Sequence, residues 1–226
     1  MRRAKNGGSL TGNRRRFEER AMKMRAGMWF LVFASMAVGL SCQARPGQVL
    51  LDDFEGVITG GVNGTVDFGA GSGSNVQVVA NREIKYSGDQ SLEVVYDAAK
   101  EGYLWVARGF GLDAKNTAWL VAHDKIPWQK FTAFSFYMYG SDSKAKIAFD
   151  IKDSGNEYWR FMVEDNFTGW KQIVCPFASF FARGDWQPTS ADKNAVLNFP
   201  VKSFQFEPRP PARGTLYFDR VELISQ

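Results

Sequence analysis

The sequence has one histidine, His123, and two cysteines, Cys42 and Cys175. With a lone histidine and no cysteine near it, the residues argue against a zinc centre. A Ser-His-Asp arrangement would have to use His123, and no nucleophile-elbow motif supports one. There is no G-x-x-x-x-G-K-[ST]. The glycines of residues 56–73 fit neither the phosphate-loop nor the dinucleotide pattern. No long segment has a helical period of 3.6, which excludes helical bundles and alternating α/β architectures.

A uniform excess of positive charge is also missing. Nine of the 28 Lys/Arg and two of the 24 Asp/Glu fall within residues 1–25. The remainder carries 19 basic and 22 acidic residues, a net of −3, so the basicity belongs to the leader. This removes the main argument for a nucleic-acid partner. The leader runs into Ala26–Leu40, an uncharged apolar stretch rather short for a membrane span. Basic run, apolar core and small residues at Ser41–Ala44 follow the layout of a secretory signal, and Met22 or Met24 would start one of ordinary length. An uncleaved anchor is the alternative. Cys42, directly after the apolar core, resembles the lipidated cysteine of a bacterial lipoprotein signal; ordinary cleavage after Ala44 is the other option. Lipidation at Cys42 would leave Cys175 alone, a small buried hydrophobe. Residues 1–44 are therefore assigned to the leader and residues 45–226 to a single exported domain. Membrane contact is expected only through the anchor or signal.

Aromatic residues are abundant. Six tryptophans and all seven tyrosines fall in residues 45–226. That is more large ring surface than one core of this size needs, and exposed rings usually bind something.

Short alternating segments separated by glycine-rich turns predict strands at 49–55, 65–68, 76–84, 91–96, 103–108, 118–122, 131–139, 146–152, 158–163, 170–175, 201–207 and 215–224. Residues 157–181 read as two strands joined by the turn 165–169, a hairpin stopped by Pro176. Residues 208–214 read as a proline-rich loop. The pattern predicts an all-β sandwich of two antiparallel sheets.

Alternation assigns Phe134, Phe136, Met138, Ile147, Phe149, Ile151, Phe204 and Phe206 to the core. The opposite set is Tyr137, Tyr139, Asp150, Lys152, Tyr158, Arg160, Gln205 and Glu207. If the strands pair in register, these share one face. Aromatic platforms among acid, base and amide groups are what sugars require: C–H faces stack on rings and hydroxyls need paired donors and acceptors. Asp150 with Glu207 is also a conceivable pair for glycoside hydrolysis, though plain sheet-surface charge explains both acids. Arg183-Gly184-Asp185 matches a cell-adhesion tripeptide by letter only.

Four stretches carry a resemblance: LLDDFEG (50–56), SGDQSLEVVYD (87–97), PWQKFTAFSFYMYG with GWKQIVCPFASF (127–140, 169–180) and GTLYFDRVELI (214–224). In order and spacing they resemble the galactose-binding-like jelly rolls of family 11 carbohydrate-binding modules and of the complex I intermediate-associated protein 30 domain. The resemblance implies a non-catalytic domain that holds a polysaccharide or oligosaccharide, with β-glucan the expected class. By type it points to Tyr137, Tyr139, Asp150, Tyr158 and Arg160, with Gln205 and Glu207 on the same face. It also implies a structural Ca2+ held by Glu55 and Asp219 with carbonyls near Ser87 and Gln90. An alternative function from another class is a cell-envelope assembly or scaffold protein that uses the same face for a protein partner.

Overall fold

The structure is a computed structural model that describes residues 47–225. The leader, with Cys42, lies outside the described residues. Within them no helix is long and apolar enough to cross a membrane.

Among the described residues twelve strands form: β1 Gln48–Asp52, β2 Asp67–Gly71, β3 Asn75–Asn81, β4 Ser91–Ala98, β5 Tyr103–Gly109, β6 Ala133–Ser141, β7 Lys146–Lys152, β8 Tyr158–Glu164, β9 Thr168–Pro176, β10 Phe181–Ala182, β11 Ser203–Pro208 and β12 Ala212–Ile224. They make two antiparallel six-stranded sheets. The back sheet has the order β3-β4-β12-β6-β9, with β1 also on β12; the front sheet has the order β10-β8-β7-β11-β5-β2. This is the predicted two-sheet jelly-roll sandwich.

The alternating aromatic residues explain why the sheets close on each other. Phe134, Phe136 and Phe218 of the back sheet and Phe149, Phe204 and Phe206 of the front sheet are at most 1% exposed. Phe206 stacks on Phe218 across the sandwich, with centroids 3.8 Å apart and planes 10° apart. Cutting such a ring back to alanine costs about 3–5 kcal/mol. Cys175 is a free, fully buried thiol whose pKa burial pushes well up. It packs as a small hydrophobe.

Three expectations need correction. The stretch 157–181 is not a hairpin, because β8 pairs with β7 and β10 in the front sheet and β9 pairs with β6 in the back sheet. Its turn crosses between layers. Asp165 pins that corner: its carboxylate accepts the Ser141 and Ser143 N–H and hydroxyl groups. A period of two cannot distinguish a strand that pairs with its neighbour from one that switches sheets. Residues 118–122 form no strand; Trp119 instead stacks on Phe204 and meets Phe110 edge-on. The loop before the last strand is only residues 209–211, since β12 begins at Ala212.

Candidate functional site

The outer face of the front sheet carries a cleft of about 720 Å³. One register row explains its floor. Phe181, Arg160, Asp150, Gln205, Ala107 and Asp67 lie side by side across all six strands. Ala107, the smallest of these, leaves depth in the middle.

At one end the rings come from β5. Tyr103 and Trp105 lie nearly parallel, 14° between planes and 6.2 Å between centroids. They lie across β2, where Gly71 and Gly69 sit opposite them in register. A Cβ on Gly69 would meet the Trp105 indole at 2.5 Å, and one on Gly71 the Tyr103 ring at 2.4 Å. The glycines thus form a bed on which the rings lie flat. Asp67 fixes the platform: its Oδ1 accepts Trp105 Nε1–H at 3.0 Å and its Oδ2 accepts Asp113 N–H at 2.8 Å.

At the other end Tyr158 of β8 packs against Trp186, 5.6 Å between centroids. Trp186 is half exposed and sits on the loop after β10. Gln187 holds that loop to the edge of the sheet. Its Oε1 accepts Tyr158 N–H and its Nε2 donates to Tyr158 O, both at 2.8 Å. Lys152 reaches between the ends, donating to Gly111 O at 3.2 Å with its ammonium 5.9 Å from the Tyr158 ring centroid. Burial, then Asp150, push the Tyr158 phenol up to about 12, so it stays a neutral donor at physiological pH.

Below the Trp186 end lies a lattice of three arginines and three acids. Arg160 is bidentate to Asp150, Nε to Oδ1 and Nη2 to Oδ2, each at 2.8 Å. Arg160 also donates to Glu207 at 3.0 Å. Arg183 Nη1 lies 2.9 Å from Glu207 and its Nε 2.7 Å from Asp185. Arg209 closes the lattice on Glu207 and Asp185. Charges as deeply buried as those of Arg160, Asp150 and Glu207 persist only when compensated in this way. Both carboxylates of the conceivable hydrolytic pair, Asp150 and Glu207, are engaged by guanidinium groups.

The residues expected on one face are divided by the structure. Tyr158, Gln205 and Glu207 line the cleft, together with Lys152. Asp150 and Arg160 are on the same face but lie beneath it, inside the lattice. Tyr137 and Tyr139 are on β6, in the back sheet, and face the other side of the molecule. The alternation holds without a shift from β6 to β11, so no bulge is responsible. The expectation failed because it put all the strands in one sheet. Sequence reasoning also passed over Tyr103, Trp105, Asp67 and Trp186, and read Arg183 and Asp185 only as part of a tripeptide. The alternation of Tyr103 and Trp105 opposite a strand with glycine at every second position, Gly69 and Gly71, was the available signal.

Glu55 and Asp219 meet away from the cleft, under the 86–90 turn. Glu55 Oε1 accepts Asp89 N–H at 2.8 Å; Asp219 Oδ2 accepts Tyr86 and Ser87 N–H at 2.9 and 3.0 Å. Asp219 Oδ1 is buried with no partner. Burial, against the help of the Ser87 and Tyr86 N–H groups, pushes this carboxyl up to about 6. Such an oxygen wants a proton or a cation.

A cleft with rings at both ends and a floor of amide, acid and guanidinium groups suits carbohydrate, and comparison with known proteins decides the matter. The model of the carbohydrate binding domain (family 11) matches residues 41–226. The chain belongs to this family. Endoglucanase H of Acetivibrio thermocellus is 26% identical over 186 residues, which are 79% of this chain and 18% of that enzyme. The chain thus spans under a fifth of the length of this curated relative. A family 11 module from Clostridium thermocellum, solved in complex with a β-1,3-1,4-mixed-linked tetrasaccharide, superposes with a TM-score of 0.61 at 25% identity, covering 79% of this chain and 96% of that one. The family 11 module of a cellulosomal cellulase of the same organism gives 0.60 at 23% identity, covering 80% and 95%. The described unit of this chain is a family 11 carbohydrate-binding jelly roll.

Proposed function

We propose that the front-sheet cleft holds a stretch of β-glucan chain without turning it over. The observation that carries this reading is the pair of ring platforms, Tyr103–Trp105 and Tyr158–Trp186, at opposite ends of a polar floor. Glucose units stack their C–H faces on the rings, and their hydroxyls pair with Gln205, Asp185 and Lys152. The solved relative with a mixed-linked tetrasaccharide supports this ligand class. Engagement of Asp150 and Glu207 by arginines supports binding without hydrolysis. The test is affinity electrophoresis of the protein through gels containing β-glucans, xylan, mannan or α-glucans. Retardation by β-glucan that Trp105→Ala and Tyr158→Ala each weaken about tenfold or more is expected. Unchanged mobility in every gel would overturn the reading.

Glu55 and Asp219 fit a structural Ca2+ in part: two carboxylates under the 86–90 turn, one with a buried oxygen lacking a partner. We propose that they hold one. The leader and the ligand class together favour export, with lipidation at Cys42 as the anchor. The intact mass of the protein isolated from membranes reads both, because a diacylated Cys42 at the mature N-terminus has a defined mass.

A further inference from the structure

The front cleft leaves a second group of aromatic residues unused. On the outer face of the back sheet, Tyr217, Tyr139, Trp170, Tyr86 and Tyr137 form an unbroken chain of ring contacts. Register puts Val79, Glu93, Tyr217, Tyr139 and Trp170 in one straight row over five strands. At one strand spacing per step the row is about 19 Å long. None of these rings serves the core, which lies on the other side of the same strands. Tyr86 comes from the turn over β12 and stacks flat on Tyr137, 3.5 Å between centroids and 14° between planes. Its backbone N–H is tied to Asp219, so its position is set. One face of the ring is covered by Tyr137; the residue is 44% exposed.

The groups around these rings favour an uncharged ligand. Glu93 is bonded by the Asn81 amide at 2.7 Å, and Glu222 by Arg220 and Gln48. Gln172, opposite Tyr137 in register, bonds Ser135 at 2.9 Å. The Glu222 charge is matched by Arg220, and the Glu93 carboxylate is held by a neutral amide. What remains for a ligand is ring surface, phenol hydroxyls and amides, the mixture already found in the cleft.

We propose that this face is a second glycan-binding surface, which stacks the pyranose faces of an uncharged polysaccharide on Tyr86 and Trp170. The cleft and this face look out from opposite sheets, so one domain bridges two polysaccharide chains. The inference rests on the carbohydrate reading of the cleft only for the choice of polymer.

The test separates the two surfaces. The protein with Trp105→Ala and Tyr158→Ala has a crippled cleft. It is run through β-glucan gels alongside wild type and alongside the same variant carrying Tyr86→Ala and Trp170→Ala. Expected is weak residual retardation in the cleft variant, removed by the added pair. With the cleft intact, Tyr86→Ala and Trp170→Ala should weaken polymer retention about three- to tenfold. A titration of the cleft with a soluble β-glucan tetrasaccharide should not change. Tyr86→Phe, which keeps the stacking ring, should retain the polymer, and this guards against a merely misfolded alanine variant. Retardation of wild type with none in the cleft variant would overturn the second surface and leave the cleft reading intact. Residual retardation that Tyr86→Ala and Trp170→Ala do not touch would also overturn it. So would sedimentation that shows a dimer dispersed by Tyr86→Ala, because the face would then join copies of the chain.

Discussion

Arg160 and Asp150 face each other side-on across β8 and β7, joined by two parallel hydrogen bonds of 2.8 Å, with both side chains almost wholly buried. The pair stands under the cleft and supports it; neither group is among those lining it. Removing one partner leaves the other charged and buried, which costs roughly 3–5 kcal/mol. Arg160→Ala is therefore predicted to lower the unfolding free energy by about that much in urea titrations. Arg160→Lys should recover little, since an ammonium cannot reproduce the fork. An Arg160→Ala protein as stable as wild type would refute this role.

Asp185 gives the lattice its pH dependence. Burial works to raise this carboxyl, but the hydrogen bond and charge of Arg183, then Arg160 and Arg209, outweigh it and hold it at about 2. Its folded pKa is below its unfolded one, so the stability it contributes is present above the unfolded value, near 4. That contribution is lost as pH falls toward about 2. Thermal melts of Asp185→Asn should start lower than wild type at neutral pH and converge with it in this acid window. A constant gap between the two down to about pH 2 would contradict the assignment.

Much of this arrangement could be read from the sequence, and the failures have one cause. Alternation sorted Phe134, Phe136, Phe149, Phe204 and Phe206 into the core and Tyr158, Arg160, Gln205 and Glu207 onto the outer side. It works because each strand has a wet and a dry face. It says nothing about which sheet a strand joins. Tyr137 and Asp150 were therefore placed together although the corner at Asp165 and the 142–145 loop puts their strands in different layers. Trp186 was not singled out, and Arg183 and Asp185 were read only as part of a tripeptide, for another reason. They follow a two-residue edge strand, too short to have a period, and their positions depend on the Gln187 amide and on guanidinium contacts with distant strands.

Calcium should stabilise the protein through Asp219. A ligand that binds only the folded state at a hundred times its dissociation constant adds about 2.7 kcal/mol. Millimolar Ca2+ is predicted to raise the melting temperature and a chelator to lower it. Asp219→Asn should abolish the response, because it removes the charge that would face the ion at the oxygen now lacking a partner. Equal melting temperatures with calcium and with chelator would show that the turn is held by its hydrogen bonds alone.

Gly69 separates binding from stability. Its backbone is outside the left-handed region, so a side chain is tolerated by the strand, and valine favours strands more than glycine does. The added Cβ cannot coexist with the Trp105 indole 2.5 Å away, and the ring must lift. Lifting it also breaks the Nε1–H bond to Asp67, which ties the platform to the 113–114 backbone. Gly69→Val should therefore weaken retention in β-glucan gels about tenfold, as loss of a stacking ring does, while the melting temperature stays level or rises. Gly71→Val should act the same way on Tyr103, more mildly, because no side-chain bond accompanies that ring. If both valine variants bind as wild type does, the rings over β2 are not the platform, and the Tyr158–Trp186 end alone carries the ligand.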